Sequence, residues 1–474
     1  MIMELVGARI LAPYLGTSMF VWASLIGIVL GALTIGYYLG GHFSEKNPTL
    51  NFLATVLLLA GLSILFIGFV KDEFLPVILC LGIKMGSVLA TLFLFALPSV
   101  LLGMVSPYAI RLKIKDIQTS GEVAGKLYAL STIGSIVGTF AAGFYLIPTF
   151  GSAQIIFGLS AGLVLTALIV RFDLFKISTL ILVIISSLLI SNPAQNLIFE
   201  ADSEYNHIRV VDHLNKDERP IRILYLATEA HSVIYQDSDE LFPGYFKHYQ
   251  LDQVFNPNIK KALTLGGGAY VGPVDFLKRF PKSKMTVVEI DPKVTETAKN
   301  YFRLKVDPRL SIIHADGRIF LNNNHEKYDA IYGDAFSSFY SIPFHLTTRE
   351  AIEKIYNSLN DNGIFLLNVI SSIEGETSMF FQSEYKTLSL FFPQIYIFPV
   401  YYSETTQAAK HQNIVIVATK DSQRKNLAEL ESYANENQQE LLRHLWPNEI
   451  KIEPKIKILT DNFAPVDYYI SKLL

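Results

Sequence analysis

Four short segments in the C-terminal half carry residues that could bind a nucleoside. Three glycines, Gly266, Gly267 and Gly268, follow an apolar run and would let the backbone approach a ligand without interference from a Cβ atom. Glu289 lies 21 residues after Gly268, which is the separation that a strand–helix–strand unit requires. A carboxylate at this position can accept hydrogen bonds from both hydroxyls of a ribose.

Two further acids follow the next apolar runs. Asp316, with Gly317 after it, could accept a hydrogen bond from the amino group of adenine. Asp334 follows the apolar run at 328–332 and Gly333. One acid at a strand end is common because it caps the helix that follows, but three acids behind a glycine turn indicate a nucleoside site. The chain lacks a Walker-type phosphate loop and the full glycine spacing of a dinucleotide site. S-adenosylmethionine or a relative is therefore favoured, and a group transferase is favoured over a dehydrogenase.

Alternating strands and helices must position these residues. Strands are predicted at 261–265, 285–290, 310–313, 328–332 and 364–369, and helices at 273–280, 292–304 and 348–359. This alternation predicts an α/β, doubly wound, Rossmann-like domain of the methyltransferase type, whose ligands bind beyond the carboxyl ends of the strands. Shorter strands predict a small antiparallel β subdomain before it; they lie at 206–212, 221–227 and 232–235.

The first 200 residues have a different composition. They hold 10 Lys/Arg and 8 Asp/Glu, whereas the remaining 274 residues hold 30 and 35. Apolar runs close to the roughly 20 residues of a membrane span recur in this part; they lie at roughly 19–41, 50–70, 74–105, 127–147, 150–170 and 177–191. We therefore predict a helical transmembrane domain of about six spans at 1–200, the β subdomain at 201–258 and the catalytic domain at 259–474.

Charges and small residues refine this assignment. Basic residues at 107–126 and 171–176 favour the cytoplasmic side for both loops. A multi-pass protein of the cell membrane is expected, with a cytoplasmic catalytic domain if the short last run does not cross.

Lys84, inside the third run, is a functional candidate or a snorkelling residue. Close helix packing is predicted at the glycines with helical spacing, which are Gly27, Gly31, Gly36, Gly40, Gly134 and Gly138.

Several classes of ligand are not expected. The net charge of −5 after residue 200 gives no overall attraction to nucleic acid. The single cysteine, Cys80, excludes an intrachain disulfide and a cysteine metal cluster, and no metal site is predicted.

The motifs resemble the spermidine/spermine synthase family of polyamine aminopropyltransferases, and most of all its members fused to a multi-span N-terminal region. The resemblance covers residues 203–420 and rests on the strings at 205–208, 265–268, 289–291, 316–317 and 334–336; the opening string at 4–14 is similar to the fused group. It implies that Glu289 holds the ribose, Asp316 and Gly317 the adenine, and that Asp334 is the general base. It also implies decarboxylated S-adenosylmethionine as co-substrate, without a tightly bound cofactor.

The chain departs from the family at the end of the site that binds the amine. Ala269 stands where typical soluble members have an Asp, Asn206 where they have a Gln, and Ser337 where they have a second Asp. The residues expected to bind the nucleoside are Asn206, Gly266, Gly267, Gly268, Glu289, Asp291, Asp316 and Gly317. The candidates for the acceptor are Tyr245, Ser337, Tyr340, Asp461 and Asp467. The last two either replace the missing carboxylates or lie in a C-terminal turn as helix caps.

Three hypotheses follow. The first is aminopropyl transfer from decarboxylated S-adenosylmethionine to a small or membrane-associated amine. The second is methyl or aminocarboxypropyl transfer from S-adenosylmethionine itself, because Ala269 would not repel a carboxylate on the donor. The third is a transporter or sensor that only binds a nucleoside or a polyamine. The expected partners are the lipid bilayer, the amine acceptor and a second copy of the chain in a homodimer.

Overall fold

The computed structural model describes residues 1–45, 48–114, 116–189, 196–335, 342–401 and 408–472. Ser337 and Tyr340, both predicted to contact the acceptor, lie outside the described residues. The chain divides into two compact units. One comprises Met1–Gln195 and Ala201–His207, and the other comprises Asn196–Glu200 and Ile208–Leu474.

The described part of the first unit is mostly helical. Its helices are α1 (Ile2–Leu15), α2 (Met19–Ser44), α3 (Leu50–Ile78), α4 (Gly82–Lys113), α5 (Ser120–Ala141, continued by a π-helical turn at Ala142–Leu146 and by Ile147–Thr149), α6 (Ser152–Val170) and α7 (Leu174–Leu189). By length and composition, four stretches of these residues are suited to crossing a membrane: Met19–Ser44, Leu50–Lys113, Ser120–Thr149 and Ser152–Val170. The described part of α7 has 16 residues, and residues 190–195, which follow it, lie outside the described residues.

Helices α3 and α4, which correspond to the second and third apolar runs, begin and end at other residues than predicted. Helix α3 continues to Ile78, and a 3₁₀ turn at Leu79–Leu81 followed by Gly82 at φ 73° separates it from α4. Lys84 therefore lies in the first turn of α4 and is exposed, with its ammonium 5.4 Å from the centre of the Phe20 ring. Lys84 lies inside the third run, as the sequence indicated, but near the start of α4, because Gly82 begins that helix two residues earlier; its role stays a prediction.

Helices α2 and α4 touch through their backbones. A Cβ atom at Gly36 would lie 2.2 Å from the carbonyl oxygen of Val100, and one at Gly40 would lie 2.5 Å from that of Met104. The predicted close packing is confirmed at these two glycines. At three others, no atom lies within 4 Å of the Cβ position among the described residues; they are Gly27, Gly31 and Gly134.

A four-stranded sheet precedes the larger domain. Its strands run in the order β1 (Leu197–Asp202), β2 (His207–Leu214), β3 (Pro220–Leu226) and β4 (Glu229–Tyr235). The pairs β2–β3 and β3–β4 are antiparallel, as predicted. Strand β1 was not predicted.

A seven-stranded sheet forms the centre of the second unit. Its strands are β5 (Lys261–Leu265), β6 (Lys284–Glu289), β7 (Leu310–His314), β8 (Tyr328–Gly333), β9 (Leu359–Ser371), β10 (Gln394–Pro399) and β11 (Gln412–Thr419). They lie in the order β10-β11-β9-β8-β5-β6-β7. The predicted strands β5 to β9 are parallel, and the unpredicted β10 and β11 add an antiparallel edge. The order reverses beside β5, so β5, β6 and β8 end together at the switch point where such sheets bind ligands.

Helices cover both faces of this sheet. They are α8 (Val271–Arg279), α9 (Pro292–Tyr301), α10 (Gly317–Asn323), α11 (Arg349–Asn357) and α12 (Met379–Leu388), with short helices at Tyr245–His248, Asp252–Phe255, Leu427–Ser432, Glu436–Leu442 and Val466–Ile470. Alternate strand residues enter separate apolar cores, since side chains along a strand point to opposite faces. Helices α10, α11 and α12 pack in the core with Leu265 and Leu367, and α8 and α9 in the core with Tyr332 and Leu366.

Candidate active site

The glycine turn after β5 lies directly against the end of β8. Gly266 has φ 97°, and a Cβ atom there would be 2.3 Å from the carbonyl oxygen of Asp334. The amide of Asp334 donates to the carbonyl of Leu265 at 2.9 Å. Only glycine combines this conformation with this close approach, so the turn and Asp334 are held in contact.

Glu289 supports the same turn from β6. Its Oε2 accepts hydrogen bonds from the amides of Gly267 at 2.8 Å and Gly268 at 3.3 Å, and its Oε1 accepts one from the amide of Asp291 at 2.9 Å. The side chain is only 7% exposed, and burial raises the pKa of Glu289 while these backbone bonds oppose the rise. A carboxylate has about four acceptor positions, so capacity remains for a ribose hydroxyl, and the predicted ribose contact stays a prediction.

Asp291 and Asp316 both cap helices. The buried Asp291 accepts a hydrogen bond from the amide of Lys293 at the start of α9. Asp316 accepts one from the amide of Ile319 in α10, and its other oxygen lies 3.3 Å from Nε2 of His345. Both residues therefore cap helices, and their nucleoside roles stay predictions.

Asp334 is the carboxyl that the sequence predicts to be the general base. It follows β8 and is partly exposed, and Tyr245 donates a hydrogen bond to its Oδ2 at 3.1 Å. Loss of surrounding water raises the pKa of Asp334 to about 7, against the opposing effect of Tyr245, Asn368 and Tyr249. A carboxylate with a pKa near neutrality can take up a proton under physiological conditions.

Two tyrosines stay neutral beside this carboxylate. Burial and the Asp334 charge raise the pKa values of Tyr245 and Tyr249 well above the ordinary value. The buried amide of Asn368 completes this group, and its Oδ1 accepts a hydrogen bond from Asn413 at 3.0 Å. Tyr249 and Asn368 were not predicted, although a polar residue inside the apolar strand at 364–369 was a visible signal.

Asp461 and Asp467 are not placed beside Asp334 by any contact among the described residues. Asp461 accepts hydrogen bonds from Thr348 at 2.7 Å and from Arg318 at 2.6 Å, and so joins α10 to the start of α11. Asp467 lies in the first turn of Val466–Ile470, whose N-cap residue is Pro465, so the helix-cap alternative is not confirmed for Asp467. Asn206 belongs to the first unit, where its backbone N–H donates a hydrogen bond to the hydroxyl of Ser203 in a turn.

Ala269 is enclosed rather than open to a ligand. It is 1% exposed, and its amide donates to the hydroxyl of Ser232 on β4 at 3.2 Å. The glycine turn is thereby tied to the small sheet. No carboxylate is available at this position to bind an amino group.

Comparisons with known proteins agree with the motifs. The spermine/spermidine synthase domain family matches residues 248–426. A probable polyamine aminopropyl transferase of Bifidobacterium longum is 30% identical over 184 residues, which are 39% of this chain and 40% of that protein. A polyamine aminopropyltransferase of Vibrio vulnificus is 29% identical over 210 residues, which are 43% of this chain and 68% of that protein. An eEF1A lysine and N-terminal methyltransferase of Xenopus laevis is 34% identical over 117 residues, which are 23% of this chain and 17% of that protein.

The matched region begins at His248 and contains the glycine turn, Glu289, Asp316 and Asp334. The alignment with the Bifidobacterium protein covers less than half of that protein's length. The resemblance inferred from the motifs is confirmed for this region, since residues 248–426 match the spermine/spermidine synthase domain.

Proposed function

We propose that the chain is a membrane-bound transferase that moves an aminopropyl group from decarboxylated S-adenosylmethionine to an amine. The observation that carries this proposal is the carboxyl of Asp334, with a pKa of about 7, held by Tyr245 against the glycine turn. An amine nucleophile has an ordinary pKa near 10 and must lose its proton to react. Asp334 would bind the ammonium and accept that proton as attack begins.

The reaction is an in-line displacement. The acceptor nitrogen attacks the aminopropyl carbon that is attached to the sulfonium sulfur. A bond from nitrogen to this carbon forms while the bond from this carbon to sulfur breaks. The electron pair remains on sulfur, so 5′-methylthioadenosine leaves as a neutral thioether and needs no acid. Glu289 would hold the ribose, and Asp316 and Gly317 would hold the adenine. Alignment of the two reactants would supply much of the acceleration. The donor is a co-substrate, and no tightly bound cofactor is required.

The acceptor would lie near Tyr245 and Asp334. Among the residues predicted to contact the acceptor amine, Tyr245 is the one for which a hydrogen bond to Asp334 is observed among the described residues. Asp461 already forms an ion pair with Arg318, so it is less suited to bind the ammonium group of the acceptor. We infer a small or membrane-associated amine as the acceptor.

A second candidate function is favoured by Ala269. Because its side chain is buried and uncharged, nothing at this position would repel the carboxylate of S-adenosylmethionine. Methyl or aminocarboxypropyl transfer from that donor is therefore the alternative.

We also propose that the first unit spans the cell membrane several times and that the second unit lies on the cytoplasmic side. The four long apolar stretches support the first part. The second part is supported by the last apolar run of the sequence, at 177–191, which is shorter than the roughly 20 residues of a span. An α7 that does not cross leaves the second unit on the side of the basic loops.

The decisive experiment is incubation of the full chain in detergent with each labelled donor and a membrane extract, followed by mass analysis. Formation of 5′-methylthioadenosine and an amine heavier by one aminopropyl group, from the decarboxylated donor alone, supports the proposal. S-adenosylhomocysteine, or an aminocarboxypropyl product, from the other donor supports the alternative. Tight donor binding without any product contradicts both and leaves a binding protein.

A further inference from the structure

Two asparagines lie side by side on neighbouring strands of the large sheet. Asn368, on β9, is 3% exposed and is surrounded in its strand by apolar residues from Ile364 to Ile370. Asn413, near the start of β11, is half-buried. A buried amide lowers stability unless its polar atoms are paired, so the position of Asn368 calls for a reason.

The pairing of β9 with β11 determines how the two side chains meet. Asn368 lies opposite Val415, and Asn413 lies opposite Ile370, so the asparagines are diagonal neighbours. Because side chains alternate along a strand, Asn413 shares a face with Val415. This is the face whose core contains Tyr249, so both amides lie on the side from which the tyrosines approach Asp334.

The hydrogen bond between the two amides has a direction. Nδ2 of Asn413 donates to Oδ1 of Asn368 at 3.0 Å. An asparagine amide carries its acceptor at one end and its donors at the other. With Oδ1 engaged, Asn368 therefore presents Nδ2 to its remaining neighbour. That neighbour is Asp334, whose charged form is favoured by Asn368 as well as by Tyr245 and Tyr249.

A rotated amide would act differently on Asp334. Its Oδ1 could not donate to the carboxylate, but it could accept a hydrogen bond from the protonated carboxyl. An Asn368 amide that is free to rotate would therefore stabilise both protonation states, and its preference for the carboxylate would be lost. Rotation breaks the bond to Asn413, so Asn413 opposes it.

No charged partner shares this task among the residues that the structure describes. The titratable groups that face Asp334 are Tyr245 and Tyr249, from two consecutive helical turns. Both stay neutral, because burial and the Asp334 charge raise their pKa values. The glycine turn on the other side brings Gly266, which has no side chain. Neutral donors therefore oppose the effect of burial on Asp334.

We infer that Asn413 is a positioning residue of the proposed reaction, because it holds the Asn368 amide with Nδ2 towards Asp334 and Oδ1 away from it. The inference rests on the proposed role of Asp334 as the base. It gives the antiparallel edge strand β11 a part in a site that the parallel strands form. Asn413 acts through Asn368 and need not touch either substrate.

The test measures the ionisation of Asp334 without using turnover. Infrared difference spectra of the full chain in detergent, recorded across pH, follow the carbonyl absorption of the protonated carboxyl, and the band is assigned by its loss in Asp334→Asn. The wild type is compared with Asn413→Leu, Asn368→Leu and the double variant. Asn360→Leu is the matched control, since Asn360 is also on β9 but donates to Asp329. Thermal unfolding of each variant is recorded as well.

We expect the wild-type carboxyl to titrate near pH 7. Asn413→Leu should move the midpoint up by about 0.5 to 1 pH unit, the effect of losing about one neutral hydrogen bond that fixes the amide. Asn368→Leu removes the donor itself and should move the midpoint at least as far. The double variant should titrate as Asn368→Leu does, because Asn413 then has no amide to orient. Asn360→Leu should leave the midpoint in place.

An unchanged midpoint in Asn413→Leu would overturn the inference. Additive shifts in the double variant would overturn it too, because Asn413 would then act independently of Asn368. If Asn413→Leu does not fold, the isosteric Asn413→Asp replaces it. Its carboxylate only accepts hydrogen bonds, so it should turn the Asn368 amide round, and a shift that stays equally large in the Asn368→Leu background would overturn the inference.

These outcomes differ from those that test the proposed function. If the inference fails, transfer of the aminopropyl group and its loss in Asp334→Asn can still be observed. The expected midpoints without any transfer product would support the role of Asn413 and contradict the proposed reaction. A wild-type carboxyl that does not titrate near neutral pH would overturn the inference and remove the observation that carries the proposed function.

Discussion

Asp334 is the residue on which the proposed chemistry depends. Asp334→Asn keeps the shape of the side chain but removes its charge and its capacity to accept a proton. Donor binding should survive within several-fold, because Glu289 and Asp316 are unchanged, while turnover should fall by about 10²- to 10⁴-fold, the usual contribution of a general base. The residual rate should rise with pH as more acceptor amine becomes neutral. Steady-state rates and donor titrations across pH measure both effects.

Near-normal turnover of Asp334→Asn at neutral pH would eliminate Asp334 as the base. A parallel loss of turnover and donor affinity would instead make Asp334 a residue that binds the donor, and it would favour reactions of S-adenosylmethionine.

Tyr245 should set the pH range in which Asp334 works. The base form of Asp334 is present above its pKa of about 7, so the wild-type rate should fall as pH drops through 7. Tyr245→Phe removes a hydrogen bond that favours the carboxylate, and so raises this pKa further. The acidic limb of the rate profile should move up by about one pH unit.

Tyr328→Phe, on the same β8 strand but with its hydroxyl near Asn324 and Glu326, is the matched control and should leave that limb in place. An equal shift in both variants, or in neither, would show that Tyr245 does not tune the base.

The sequence predicted the acids of the site better than their surroundings. Glu289 and Asp334 follow apolar runs, so the geometry of parallel strands was enough to bring them to one edge. Tyr249 lies in a short helical turn before β5, outside the β–α alternation, and no local spacing specifies how that turn packs.

Among the elements, the turn after β5 has the least tolerance for change. Gly266→Ala would place a Cβ atom 2.3 Å from the carbonyl oxygen of Asp334, at a φ of 97° that alanine disfavours. We expect the free energy of unfolding of the second unit to fall by about 2–4 kcal/mol, from overpacking and backbone strain together. Activity should fall too, since Asp334 must move.

Gly317→Ala is the control for stability. A Cβ atom there meets Leu346 at an ordinary 3.4 Å, and we expect a change below about 1 kcal/mol. Thermal or denaturant unfolding of the full chain in detergent compares the two variants. Equal stability of both would mean that the turn can yield without cost.

The elements that the sequence missed share a physical reason. Strands β10 and β11 pair antiparallel at the sheet edge and have no helix between parallel partners to signal them. Strand β1 pairs at the edge of the small sheet, and most of its residues are only partly buried, so its apolar alternation is weak. The break at Gly82 was hidden because apolar residues on both sides read as one run.

At the scale of the whole molecule, sidedness is the feature to test. A reporter that is fused after Leu474 and is active only in the cytoplasm should give signal, because the proposed donor is used inside the cell and the apolar run at 177–191 is short for a span. A second reporter after Val170 should report the same side, since the basic loop at 171–176 follows it. Activity of the Leu474 fusion only on the outer face would contradict both the sidedness and the ready supply of donor.

The seam between α2 and α4 is closed to anything that would pass through the helical unit. At Gly36 and Gly40 the two backbones are so near that even one added carbon atom would collide with a carbonyl oxygen. Neither a hydrated ion nor a polyamine could thread between them unless the helices first separated, with loss of that contact over several turns. A permeation route through the first unit would therefore have to run along a different helix pair, and α2 and α4 would serve it as a fixed wall.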